Sequence, residues 1–111
     1  MTQFALPPLT IPSGQTVSNA LTKRNLQHVR TMTVHAPATL PEAVVVEAAA
    51  VDGASAGAGD YRDLQSNGAD ITVPEDSAVT LLRAAFFGLR LRAGGAVGAD
   101  RVFTLIGEDE T

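Results

Sequence analysis

Apolar and polar positions alternate with a period of two along much of this chain, in short runs broken by turn residues. Residues 4–11 are apolar but contain Pro7 and Pro8, which exclude a helix interior and a central strand. They read as an extended arm or an edge strand, closed by a turn at Pro12-Ser13-Gly14. In residues 15–21, Val17, Asn19 and Leu21 share one side while Thr16, Ser18 and Ala20 share the other, which predicts a strand, although residues 18–26 could form one helical turn. Residues 26–36 are rich in Thr and Val and free of Gly and Pro, and they predict another. The clearest buried strand is 43–51: its alanines would also suit a helix, but Val44, Val45 and Val46 and the following Asp52-Gly53 favour a strand. Residues 52–59, DGASAGAG, form a small-residue loop without an apolar anchor, expected to be mobile.

Asn67-Gly68 is a strong hairpin signal between strands at 61–65 and 69–73, with Ile71 and Val73 inward. Residues 79–92 continue as strand, with Gly88 marking a bulge or bend and Arg90 and Arg92 opposite Leu89 and Leu91. A last strand covers 101–106 and Gly107 ends it. About eight short strands with turn signals between them predict an all-β, single-domain β-sandwich, jelly-roll-like in character. The expected organisation is an extended N-terminal arm at 1–10, the sandwich at 11–107 and an acidic tail at 108–111.

Composition narrows the function classes. The chain has 111 residues and no cysteine, which removes disulfide scaffolds, thiolate zinc sites and cysteine nucleophiles. A net charge of −4 argues against nucleic acid as the main partner, because phosphate binding needs a basic face. The longest apolar run is interrupted by Glu47, so no transmembrane segment is expected, and the first residues do not read as a signal peptide.

Candidate chemistry is sparse. Gly53-Ala54-Ser55-Ala56-Gly57 matches the G-x-S-x-G pattern, but His28 and His35 both lie upstream and no helix pattern follows. Asp52, Asp60, Asp63 and Asp70 lie around the same loop without the spacing of a calcium site. His28 and His35, seven residues apart in sequence, would face opposite ways on one strand. The expectation is therefore no catalytic residue, no cofactor and no metal. Arg90 and Arg92 read as a solvated sheet face or a contact face for another protein. Phe86 and Phe87 are adjacent, so a regular strand would turn one of them outward, whereas a bulge at Gly88 would fold both inward. The remaining contact candidates are Phe4, Leu6, Pro7 and Leu9 on the arm.

Three segments, in this order and spacing, carry a family resemblance. The first is Ile11-Pro12-Ser13-Gly14-Gln15-Thr16-Val17-Ser18. The second is Asp52-Gly53, then Asp60-Tyr61-Arg62-Asp63-Leu64 and Asn67-Gly68-Ala69-Asp70-Ile71. The third is Leu89-Arg90-Leu91-Arg92-Ala93-Gly94. Over residues 11–107 the chain resembles small β-sandwich structural proteins of tailed bacteriophages, such as capsid decoration or cement proteins and other minor virion components. The resemblance implies a non-enzymatic protein, assembled in the bacterial cytoplasm and located in the virion. Its partners would be the major capsid protein or other virion proteins, with homo-oligomerisation left open and neither nucleic acid nor membrane involved. The alternatives are a tail, connector or fibre-associated virion protein, and a carbohydrate-binding β-sandwich module. The latter is disfavoured by the absence of Trp and the presence of a single Tyr, Tyr61.

Overall fold

The computed structural model describes residues 2–82 and 87–109. Phe86 and the tail residues Glu110 and Thr111 lie outside the described residues, so the expectations for them do too. In chain order the elements are β1 (Gln3–Ile11), the helical turn α1 (Lys23–Leu26), β2 (Thr31–His35) and β3 (Val44–Ala49). They continue with β4 (Tyr61–Asp63), β5 (Gln65–Ser66), β6 (Ala69–Asp70), β7 (Ala78–Leu82), β8 (Gly88–Ala93) and β9 (Arg101–Glu108). The fold is all-β, as the period-two pattern predicts.

One sheet has the order β1-β9-β2-β7 and the other β4-β3-β8, with every pairing antiparallel. Residues 15–21 extend the second sheet beyond β8. They touch it at two isolated bridges, Val17 to Arg92 and Leu21 to Leu89. With that segment included, the pairs nest: β1 with β9, residues 15–21 with β8, β2 with β7, and β3 with β4. This is one long hairpin rolled over itself, the jelly-roll arrangement of a β-sandwich. Leu9, Val34, Phe103 and Leu105 from the first sheet meet Val46 and Leu91 from the second, all fully buried. Each such side chain contributes about 1.5–3 kcal/mol by leaving water.

The structure corrects several boundaries. Residues 3–10 are not a free arm: Gln3–Ile11 is a paired edge strand of the first sheet, the other of the two readings its prolines allow. Its register on β9 shifts by one between Leu6 and Leu9, so Pro7 and Pro8 together oppose Thr104 as a bulge. The extra residue lets Phe4 and Leu6 before it, and Leu9 and Ile11 after it, all point into the sandwich. The acidic tail begins later than expected: Glu108 still pairs with Gln3 and Thr31. Gly107 does not end β9; it lies beneath the Phe4 ring, whose nearest carbon would stand 3.0 Å from an added Cβ.

The expected strand at 26–36 begins as a helical turn. Thr22 Oγ1 accepts from Asn25 N at 3.2 Å and Asn25 Oδ1 accepts from Thr22 N at 2.9 Å, a reciprocal cap. His28 then takes a left-handed φ of 69° and the chain reverses into β2. The expected single run at 79–92 divides between the two sheets as β7 and β8. Asn67 and Gly68, at φ 55° and 80°, make the predicted tight hairpin between β5 and β6.

Gly53 packs its backbone against Leu21 and Gly88. Its N–H donates to Phe87 O at 3.0 Å, and a Cβ there would run into the Leu21 carbonyl oxygen. Gly57, in the same loop, has room around it. Gly53→Ala should therefore cost about 2–4 kcal/mol in urea denaturation, and Gly57→Ala less than about 1 kcal/mol.

Candidate contact surface

The outer faces of the two sheets differ in kind. On the second sheet, register places Glu47 of β3 between Asp63 of β4 and Arg90 of β8. Arg90 Nε donates to Glu47 Oε1 at 2.7 Å, and Arg92 Nη1 donates to Glu47 Oε2 and, at 2.9 Å, to Asp63 Oδ1. Glu47 is only 4% exposed. A buried carboxylate is tolerated there because two guanidinium groups supply charge and donors together. The Arg90 guanidinium also lies 4.1 Å from the centre of the Tyr61 ring. Tyr61 is buried, and its hydroxyl has no hydrogen-bond partner among the described residues. Desolvation pushes that hydroxyl's pKa up. Arg90 and Arg92 do face outward, as the alternation predicts, but both are engaged by carboxylates of their own sheet.

The N-terminal candidates separate by the bulge in β1. Leu6 and Leu9 are buried in the core, so neither is a surface residue. Phe4 is half-buried against that core. Pro7 is exposed at the bulge. As an arm these residues would all be open to a partner; as a strand paired to β9 the segment turns Leu6 and Leu9 into the core.

The first sheet presents an outer face that none of the sequence candidates lies at the centre of. Register and burial place Ala5 and Thr10 of β1 on it, with Val102, Thr104 and Ile106 of β9. Thr33 and His35 of β2 and Ala78 and Thr80 of β7 complete it. Val102 is 48% exposed, among the most exposed large apolar residues described. Among the described residues, the titratable side chains on this face are His35 and, at its end, Glu108, which accepts from Gln3 Nε2 at 3.2 Å. The signal was available: Thr31, Thr33 and His35 alternate with the buried Met32 and Val34, and Val102 and Thr104 alternate with Phe103 and Leu105.

The loop carboxylates hold backbone turns. Asp52 Oδ1 accepts from Lys23 N and Ala54 N, both at 3.0 Å, and those bonds lower its pKa. Asp60 Oδ2 accepts from Gly57 N at 2.8 Å, and Asp70 Oδ1 from Gln65 Nε2 at 2.8 Å. The 52–59 segment expected to be mobile is thus a series of hydrogen-bonded turns, and Ser55 Oγ donates to Asp52 O within it. His28 lies in the turn after α1 and His35 on the first sheet's outer face. Among the described residues, no group of three His, Asp or Glu side chains is arranged to hold a metal ion. No helix among them is long and apolar enough to cross a membrane.

No protein-family model matches the chain, and no curated protein or solved structure matches it.

Glu47→Ala leaves Arg90 unpaired under partial burial and should cost about 3 kcal/mol in denaturant unfolding. Asp63→Ala, at a solvent-screened pair, should cost less than about 1 kcal/mol. At the sandwich end, Arg101 grips Glu42 through two bonds of 3.0 and 3.2 Å and holds its carboxyl below the ordinary carboxylate range. A depressed folded pKa stabilises above the unfolded value, and that stabilisation is lost as pH falls through the folded one. Glu42→Gln should therefore lower Tm at neutral pH, and its gap from wild type should close in acid.

Proposed function

We propose that this chain is a non-enzymatic structural protein of a tailed-bacteriophage virion, binding the outside of the capsid and stabilising junctions between shell subunits. The observation that carries this reading is the contrast between its two sheet faces. One face is crossed by charges that satisfy each other, from Arg90 through Glu47 and Arg92 to Asp63. The other spreads threonine, alanine, valine and isoleucine over four strands with little charge. Depletion of charge at the centre of a flat surface suits contact with a protein. A phosphate backbone would call for a basic face instead. The three segments that carry the phage resemblance lie on the strands and turns of this jelly roll, a fold used in viral shells.

The sugar-binding alternative loses its aromatic platform, since Tyr61 is buried beneath Arg90. A tail or connector position uses the same kind of surface and differs in copy number. Quantitative mass spectrometry of density-purified particles separates these readings. Copies comparable to the major shell protein support decoration, a few per particle place the chain in the tail or connector, and absence overturns the virion reading.

Docking through the first sheet has its own test. Thr104→Glu and Val102→Glu should abolish co-sedimentation with capsids that lack this protein, while leaving Tm within a few degrees of wild type. Arg92→Ala should retain binding. Undiminished binding by both glutamate variants would rule this face out.

A further inference from the structure

Four strand edges bound the two sheets, and three are guarded. On β1, Pro7 and Pro8 lack N–H groups, and Asn19 occupies the neighbouring backbone. Its Oδ1 accepts from Thr10 N at 2.8 Å and its Nδ2 donates to Pro8 O at 3.2 Å. The β8 edge is covered by residues 16–21: Ser18 N donates to Leu91 O at 2.9 Å and Leu21 N to Leu89 O at 2.8 Å. The strand beside β3 is interrupted on the β4 side. Leu64 N donates to Val46 O and Val46 N to Ile71 O, so residues 65–70 loop out as the β5–β6 hairpin between them. Prolines, coverings and protrusions of this kind stop a sheet from recruiting another strand.

The fourth edge is β7. Its register on β2 runs unbroken from Thr31 opposite Leu82 to His35 opposite Ala78. Ala36 N donates to Ser77 O at 2.8 Å, so alternation turns the backbone groups of Ser77, Val79 and Leu81 toward β2. Those of Ala78, Thr80 and Leu82 then point away from the sheet. The strand Ala78–Leu82 contains no proline and no charged residue, and no described strand pairs with its outer side.

We propose that β7 pairs with β7 of a second copy of this chain, antiparallel about a two-fold axis at Thr80. Ala78 then exchanges backbone bonds with Leu82 of the partner copy, and Thr80 with its own counterpart. Two features favour a second copy as the occupant. Thr33 and Thr80 already share a hydrogen bond at 3.2 Å across β2 and β7, and the two-fold continues that threonine row into the other subunit. The edge also suits self-pairing: Ala78–Leu82 is uncharged, so an antiparallel partner copy sets no like charges opposite one another along it. The two four-stranded sheets become one continuous sheet. This dimer does not depend on the virion reading.

The test is sedimentation equilibrium of the full chain from low to high concentration, with Thr80→Lys and Thr10→Lys variants. The expected result is a concentration-dependent dimer for wild type and Thr10→Lys. For Thr80→Lys the dissociation constant should rise about tenfold or more, because the two introduced lysines meet on the axis. Hydrogen exchange on the wild type guards against a misfolded variant: protection of the Ala78 and Thr80 amides should rise with protein concentration. A wild-type monomer at every concentration overturns the proposal, as does a dimer whose Ala78 and Thr80 amides stay unprotected. Protection gained only when purified capsids are added also overturns it, and names a shell strand as the occupant.

Discussion

The pairing of the first strand with the last is the constraint on which the rest of this sandwich depends. β1 and β9 are the two longest strands and lie side by side, so the chain is closed at its ends before anything between them is counted. Every other pair of the roll nests inside that closure. Closing so long a loop costs chain entropy, and the return comes only when the inward rows of both sheets meet. The bulge at Pro7 and Pro8 makes the closure compatible with one core. Without the extra residue, a strand with Leu6 inward would turn Leu9 and Ile11 to solvent.

Charge is distributed with the same economy. The second sheet carries Glu47, Asp63, Arg90 and Arg92 on its outer face and spends them on one another. Desolvating Glu47 is costly, and the pair of guanidiniums offsets that cost rather than adding much net stability. What the network secures is register: Glu47 can reach both arginines only when β3 and β8 are aligned as they are. Among the described residues, the outer face of the first sheet is carried mostly by threonine hydroxyls and apolar groups. A protein that binds flat against a neighbour needs one face of this second kind and a rigid body behind it.

Legibility differed by element. The valine run of β3, the Asn67-Gly68 hairpin and the Leu89 to Arg92 alternation carry their structure locally, through β-branched packing, left-handed turn geometry and period two. Residues 15–21 have the alternation of a strand yet make only two bridges, because Ser18 spends its hydroxyl on Leu91 N and Asn19 turns its amide to β1. Leu26 falls in a helical turn because Thr22 and Asn25 cap each other and Asp52, distant in sequence, accepts from Lys23 N. No local pattern announces that last bond. The contact candidates followed the same division. The outward direction of Arg90 and Arg92 was readable, while their capture by Glu47 and Asp63 required knowing which strands are neighbours.

By itself, the sequence determined that this chain is all-β, where most of its strands run, which of its turns are tight, and that its charge and residue types point away from nucleic acid and thiol chemistry. Those properties are local or compositional, and short-range sterics and solvation suffice to set them. Tertiary structure alone decided that residues 3–11 are a paired edge strand rather than an arm, that 79–92 divides between two sheets, and which charged side chains become neighbours. Each of these turns on a partner many residues away, and a period-two pattern fixes two faces of a strand without saying which one another strand will cover.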